Sequence, residues 1–190
     1  MTQAGARCAA LLALCAVFSA ASGDSTTPVP EPSGLWSGPI NSDVPATIAG
    51  GKVVHAAEVA KLIDQANAFV IDVSNLPKRP EGMAADAPWL PLPQEVIPGS
   101  VWIPDVGAAS ISEQLDEFFR AQLHAGTNGA LDHPVVIYCH ERCWLSWNAA
   151  KRAIGYGFRN VHWFPDGIEG WRAAGFRTET ANPRLPSDHP

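Results

Sequence analysis

Hydrophobic and polar positions along the chain follow two periodicities that take turns. Short runs dominated by consecutive apolar residues recur as "GKVVH" from residue 51, "AFVIDVS" from 68, "SVWIP" from 100, "HPVVIY" from 133 and "NVHWF" from 160. Between them lie segments with helical spacing. "AAEVAKLIDQA" places Val59, Leu62 and Ile63 on one face, and "SISEQLDEFFRAQLHAG" places Leu115, Phe118, Phe119 and Leu123 on one face behind Ser112, a helix-capping residue type. "LSWNAAKRAIGYG" predicts a helix ending at glycine, and "GIEGWRAAG" a short last one. Strands that are apolar throughout, instead of alternating, are covered on both faces. Strands taking turns with helices therefore predict an α/β domain with a mostly parallel central sheet flanked by helices.

The segments that break this pattern divide the chain. Residues 24–51 are rich in Pro, Ser and Gly and predict an extension that becomes ordered near Leu35 and Trp36. The proline-rich stretch 74–98 excludes helix and interior strand. Its Trp89, Leu90 and Leu92 give it an apolar face, expected to close over the carboxyl ends of the strands. At the N-terminus, Arg7 is the only charge before an apolar run from Cys8 to Ala21, with small residues at Ala20, Ala21, Ser22 and Gly23. That run is short for a bilayer span and predicts a signal peptide over 1–23, cleaved between Ala20 and Asp24, and an exported product with no membrane anchor left. Lipidation at Cys15 is disfavoured by Leu14 before it. The remaining divisions are a folded domain over 52–178 and a C-terminal tail over 179–190.

Composition narrows the chemistry. The 190 residues suffice for one domain with a sizeable core, and a net charge of −6 gives no reason to expect nucleic acid as a partner. Of four cysteines, Cys8 and Cys15 leave with the signal. Cys139 and Cys143 remain, both in "YCHERCWLSW" between an apolar strand and a helix. Ligands of parallel sheets bind at the carboxyl ends of the strands, where loop amides and the positive end of a helix macrodipole converge. That position predicts a lowered pKa and a nucleophilic thiolate at Cys139. His140, Glu141 and Arg142 fill the loop as either site groups or solvated polar residues. Trp144 either shields the thiols or belongs to the helix core.

The ordered motifs resemble the rhodanese family. "VIDVS" matches its "IDVR" strand, "VIPGSVWIP" its "IPGAxxIP" segment, and "VVIYC" the strand that carries the catalytic cysteine. "SWNAAKRAIGYGFRNVHWFPDGIEGWRAAGF" follows its "SxxAAxxLxxxGFxxVxxLxGGIxxWxxAG" tail. The resemblance implies a rhodanese-like three-layer domain with Cys139 at the catalytic position. Within the family the chain is most similar to exported "CW" proteins encoded beside quinoprotein (PQQ-dependent) alcohol oxidation systems, on Cys143-Trp144, "SWNAAKRA" and the "VPATIAGGKVV" lead-in. That similarity implies a quinoprotein dehydrogenase or a cytochrome c as partner. Those proteins are labelled for two residues between the cysteines, and here there are three.

Departures from the family bear on the activity. The cysteine loop is one residue longer than in an ordinary rhodanese, so that Ser146 stands seven residues after Cys139, and it has no glycine. Ser74 replaces the usual Arg after "IDV" and Leu145 the usual Arg before the helix, where rhodanese-like phosphatases also need Arg. Phosphatase chemistry is therefore not expected. In place of those features stands a second thiol. The catalytic candidates are Cys139 and Cys143, with His140, Glu141, Arg142, Trp144, Leu145 and Ser146 as binding candidates and no metal or cofactor expected. Four readings follow: a dithiol in which Cys139 attacks and Cys143 resolves, a sulfurtransferase carrying a Cys139 persulfide to a small thiol or sulfur substrate, a non-catalytic binding module, and capture of a soft ion by Cys139, His140 and Cys143. The dithiol is the preferred one.

Overall fold

The structure is a computed structural model that describes residues 28–84, 87 and 92–187. Residues 1–23, expected to be a signal peptide, and Trp89 and Leu90 lie outside the described residues. In chain order the elements are β1 (Lys52–Val53), α1 (Ala56–Ala66), β2 (Phe69–Asp72), β3 (Gln94–Val96), β4 (Val101–Trp102), α2 (Glu113–Gly126), β5 (Val135–Tyr138), α3 (Trp144–Gly155), β6 (Val161–Phe164), α4 (Gly167–Ala173) and β7 (Glu179–Ala181). β1, β6, β5, β2 and β4 form one five-stranded sheet in that order, with every pairing parallel.

The apolar runs are strands buried on both faces. On one face Ile71 and Val73 of the β2 segment and Val135 and Ile137 of β5 pack against Phe119 and Leu123 of α2 and Ala149, Ala150 and Ala153 of α3. On the other face Val70, Val136 and Tyr138 pack with Val59 of α1 and with Ile168 and Trp171 of α4. The alternation along β5 sends Cys139 to the α2–α3 side. Ser112 caps α2, its hydroxyl accepting the Leu115 N–H at 3.2 Å. Register follows from these facing sets. Pairing Ile71 with Ile137 and Asp72 with Tyr138 brings the carboxyl ends of β2 and β5 level.

Two segments depart from the pattern-based expectation. β3, at the end of the proline-rich stretch, and β7, in the segment expected to be a tail, pair antiparallel as a small second sheet. Three residues each are too few for a periodicity to be legible. The extension, expected to become ordered near Leu35 and Trp36, is ordered at Trp36 and continues farther than its pattern shows. Residues 36–48 run as a strap across the cysteine loop and α3. The backbone of Trp36 is clamped by Asn148, which accepts the Trp36 N–H at 2.8 Å and donates to its carbonyl at 2.9 Å. The Trp36 ring stacks on Trp144 at 4.4 Å between centroids. Trp147 donates its indole N–H to the Thr47 carbonyl. A loop of the strap is closed by Glu31, which accepts from the Thr47 hydroxyl and the Ala49 N–H.

Trp36→Ala removes an aromatic stack and uncovers the face of Trp144. It is expected to lower the unfolding free energy by about 2 kcal/mol, measured by urea denaturation, with faster amide exchange at Trp144. A change below about 0.5 kcal/mol would mean that the strap is not part of the cooperative unit.

Candidate functional site

The site is the loop between β5 and α3, and glycines pin it at both ends. Gly167, at φ +61°, opens α4 against the start of the loop, and a Cβ there would lie 2.4 Å from the His140 carbonyl carbon and 2.6 Å from the Cys139 oxygen. Only a residue without a side chain fits both the backbone angle and the gap. The approach lets the Ile168 N–H donate to the Cys139 carbonyl at 3.0 Å. At the other end a Cβ on Gly107 would lie 2.1 Å from the Leu145 oxygen. Between these points Arg142 adopts φ +56°, so the chain turns sharply and sets Cys143 at the N-cap of α3.

That turn brings the two sulfurs together. Cys139 and Cys143 are 1% and 3% exposed and are hydrogen-bonded to each other. Their environments push them apart. Burial drives the Cys139 thiol well above its usual range, and the neighbouring Cys143 sulfur raises it further. Cys143 is brought down to about 7 by the hydrogen bond from Cys139, helped against burial by the N–H groups of Leu145 and His140. The loop amides and helix end expected to favour a Cys139 thiolate meet a deeper burial there, and the residue at the N-cap of α3 is Cys143. Cys139, farther into the sheet, donates its proton to the pair.

The other predicted residues divide into those near the thiols and those drawn elsewhere. The His140 ring pairs with Glu169 of α4 at 2.8 Å, and the Glu141 N–H donates to the same carboxylate at 2.9 Å. Burial raises Glu169, but these two donors outweigh it and its carboxyl lies below the usual range. Arg142 points to Asp43 of the strap at 2.8 Å. Trp144 is fully buried beneath Trp36, and its indole N–H reaches the Ser42 hydroxyl and the Asp43 carbonyl. The Trp144 backbone N–H donates to the Ile40 carbonyl at 2.9 Å, and Ser42 donates to the Arg142 carbonyl, so that Asn41 and Cys143 form an antiparallel bridge. Leu145 is buried. Ser146 faces inward, donating to the Cys143 carbonyl and accepting the Trp163 indole N–H. Among the described residues no group of three His, Cys, Asp or Glu side chains converges to hold a metal ion.

Two consequences follow for anion binding. The loop amides that would cradle a negative sulfur species are partly engaged: Glu141 donates to a carboxylate and Trp144 to a carbonyl. The cover over the thiols is the strap. Leu92, the described part of the apolar face expected to close the site, is 80% exposed. Sequence reasoning also missed Glu169 and the pair Asp72–Ser74. Asp72, the last residue of β2, is 1% exposed; it accepts the Ser74 N–H at 2.8 Å, the Ser74 hydroxyl at 2.5 Å and the Gln94 amide at 2.9 Å. A lone acidic residue in a strand pattern was the signal for Asp72. For Glu169 there was none, because its role depends on how α4 meets the loop.

Two measurements test this geometry. Alkylation of the reduced protein should label Cys143 before Cys139. A lowered pKa means that the thiolate is present above pH 7 and lost below it, so the Cys143 rate should rise with pH through a midpoint near 7. Earlier labelling of Cys139 would refute the assignment. Gly167→Ala should lower stability by about 3 kcal/mol by urea unfolding, since backbone and not a flexible side chain must move.

Comparison with known proteins agrees with the architecture. The model of the rhodanese-like domain family matches residues 55–174. No curated protein matches the chain. Among solved structures, the chain is similar to a polysulfide-sulfur transferase homodimer from Wolinella succinogenes at 18% identity and a TM-score of 0.43, over 74% of this chain and 85% of that one. It is similar to a rhodanese-like domain from Anabaena at 17% identity and 0.43, over 75% and 91%. A third likeness is to an uncharacterized protein from Saccharomyces cerevisiae, at 15% identity and 0.40, over 65% and 92%. With the family model spanning residues 55–174, from the start of α1 to the end of α4, the chain belongs to the rhodanese-like domain family.

Proposed function

We propose that the protein is a dithiol redox protein built on the rhodanese-like fold, in which Cys143 is the entering nucleophile and Cys139 the resolving thiol. The observation that carries this reading is the geometry: two buried thiols four residues apart are folded against each other by the turn at Arg142, with Cys143 at the N-cap of α3, where burial pushes Cys139 up and its neighbours draw Cys143 down. A thiol near neutrality combines a useful thiolate fraction with retained nucleophilicity. Cys143 attacks a disulfide or sulfane sulfur and releases a thiolate. Cys139 then attacks the Cys143 sulfur, releases the second half and closes an intramolecular disulfide, so that two electrons pass from the dithiol to the substrate. Plain persulfide transfer fits less well, because Glu141 and Trp144 amides are already engaged and the Glu169 carboxylate sits beside the loop. Sulfur transfer from Cys139 stays the second reading, on its family position at the end of β5.

The setting of this chemistry rests on sequence. The apolar run from Cys8 to Ala21 supports export, and an oxidising compartment suits a reversible disulfide. The "CW" segment and the lead-in support an accessory role beside a periplasmic PQQ-dependent alcohol oxidation system, with a quinoprotein dehydrogenase or cytochrome c as partner.

A redox titration read by alkylation mass shift should show one intramolecular disulfide with a midpoint above about −300 mV and a small change in melting temperature on reduction, since the closed ring is short. A much lower midpoint with a large loss of stability on reduction would mark a structural bond. Thiosulfate:cyanide turnover should be weak. Strong turnover that survives Cys143→Ser and disappears in Cys139→Ser would restore the persulfide reading.

A further inference from the structure

Asp72 is a buried carboxyl group with no cation bonded to it among the described residues. Its hydrogen-bond partners are the Ser74 N–H and hydroxyl, at 2.8 and 2.5 Å, the Gln94 amide, at 2.9 Å, and the Tyr138 hydroxyl. The basic side chain that acts on it is His140, whose ring pairs with Glu169 instead. Burying an unpaired carboxylate is costly, and a backbone tie alone would be served by an amide. The strand register explains what else stands close. Asp72 is level with Tyr138, and the Val73 N–H donates to the Tyr138 carbonyl at 2.9 Å. The register sets Val73 level with Cys139 and Ser74 one residue beyond, and the Ser74 hydroxyl is within hydrogen-bonding reach of the Cys139 sulfur. The Trp102 indole holds Ser74 in place by donating to its carbonyl at 2.8 Å. A continuous line of polar atoms runs from the Asp72 carboxylate through the Ser74 hydroxyl to Cys139 and on to Cys143.

We propose that Asp72, acting through the Ser74 hydroxyl, is the proton acceptor that activates the buried Cys139 for the resolving step. The inference rests on the dithiol reading above. Once Cys143 is joined to half of the substrate disulfide, it no longer receives the Cys139 proton, and Cys139 stays buried and protonated. Ser74 takes that proton as it passes its own to the Asp72 carboxylate. The Cys139 thiolate then attacks the Cys143 sulfur; the S–S bond to the substrate half breaks and its electron pair leaves with the departing thiolate. The proton rests on Asp72 as a carboxylic acid, and the two electrons have moved to the substrate disulfide. Burial holds the Asp72 carboxyl at about 6 against the pull of Ser74, so it ionises near neutrality and still accepts a proton readily. The groups facing it are Ser74 on its own strand segment, Tyr138 on β5, Gln94 on β3 and His140 on the loop. Tyr138 is pushed far up by burial, and its hydroxyl donates to Ser100 and accepts the Ile97 N–H, so it is no competing acid at neutral pH. An arginine at position 74, the family's usual residue, could not serve as this relay.

The test uses the reduced full-length protein and 5,5′-dithiobis(2-nitrobenzoate) as the disulfide. Cys143 attack releases a first thionitrobenzoate and Cys139 resolution a second, both followed by stopped-flow absorbance across pH. In the wild type the second rate should rise with pH through about 6, where the carboxyl ionises. Ser74→Ala and Asp72→Asn should each lower the ratio of second to first rate by about 100-fold and move the rise to higher pH, while Ser74→Thr, which keeps a hydroxyl, restores the ratio. Should Asp72→Asn fail to fold, the two Ser74 variants decide the question. An unchanged ratio and pH profile in Ser74→Ala overturn the relay while two full releases leave the dithiol reading standing. A single release in the wild type would remove the dithiol reading and the relay together.

Discussion

The first amides of α3 have no side-chain cap, and the arrangement of the whole site follows from how they are satisfied. A helix leaves its first N–H groups without partners, and Cys143 at the N-cap offers only a sulfur. The Trp144 N–H goes to the Ile40 carbonyl, which draws the strap onto the loop. The Leu145 N–H faces the Cys143 sulfur and favours its anion. One local deficit thereby accounts for the bound strap, the buried Trp144, the sharp turn at Arg142 and the location of the thiolate. An ordinary Ser or Asp at position 143 would satisfy these amides and remove the second thiol.

Burial and hydrogen bonding act in opposite directions around the thiols. Burial disfavours the anion at both sulfurs, while their mutual hydrogen bond and the amides at the helix end favour it at Cys143. The same low dielectric raises Asp72, where Ser74 and Gln94 hold the carboxyl without neutralising it. Glu169 sits at the rim, half exposed, where His140 and the Glu141 amide keep it charged. Carboxyl groups of the same kind thus differ in state by depth and by donor count. The Glu169 carboxylate and the engaged amides oppose binding of small anions at the loop, which is why disulfide exchange is proposed over persulfide transfer.

Much of this was legible in the residues. The bounds of α1 coincide with "AAEVAKLIDQA", Ser112 caps α2 as its position before an apolar stripe implied, and the continuous apolar runs became the parallel strands. The strand-to-helix placement of the two cysteines was equally readable, because strand and helix periods change at that point. β3 and β7 were not, since each lasts three residues and is held by its partner instead of by any pattern of its own. The residues point to an extension ordered near Leu35 and Trp36, but its course as a strap over the loop was not legible, because its order comes from partners about a hundred residues away.

Local sequence determined the family, the parallel sheet, the carboxyl-end location of the loop and the presence of two thiols where a rhodanese has one, because propensity, periodicity and motif order act over a few residues at a time. Which thiol ionises was decided only by tertiary structure. So were the engagement of the cradle amides by Glu169 and Ile40, the inward turn of Ser146, and the closeness of Asp72 and Ser74 to Cys139. Those depend on burial, on strand register and on contacts between distant segments. Charge states follow from the summed field of neighbours in space, which no local pattern encodes.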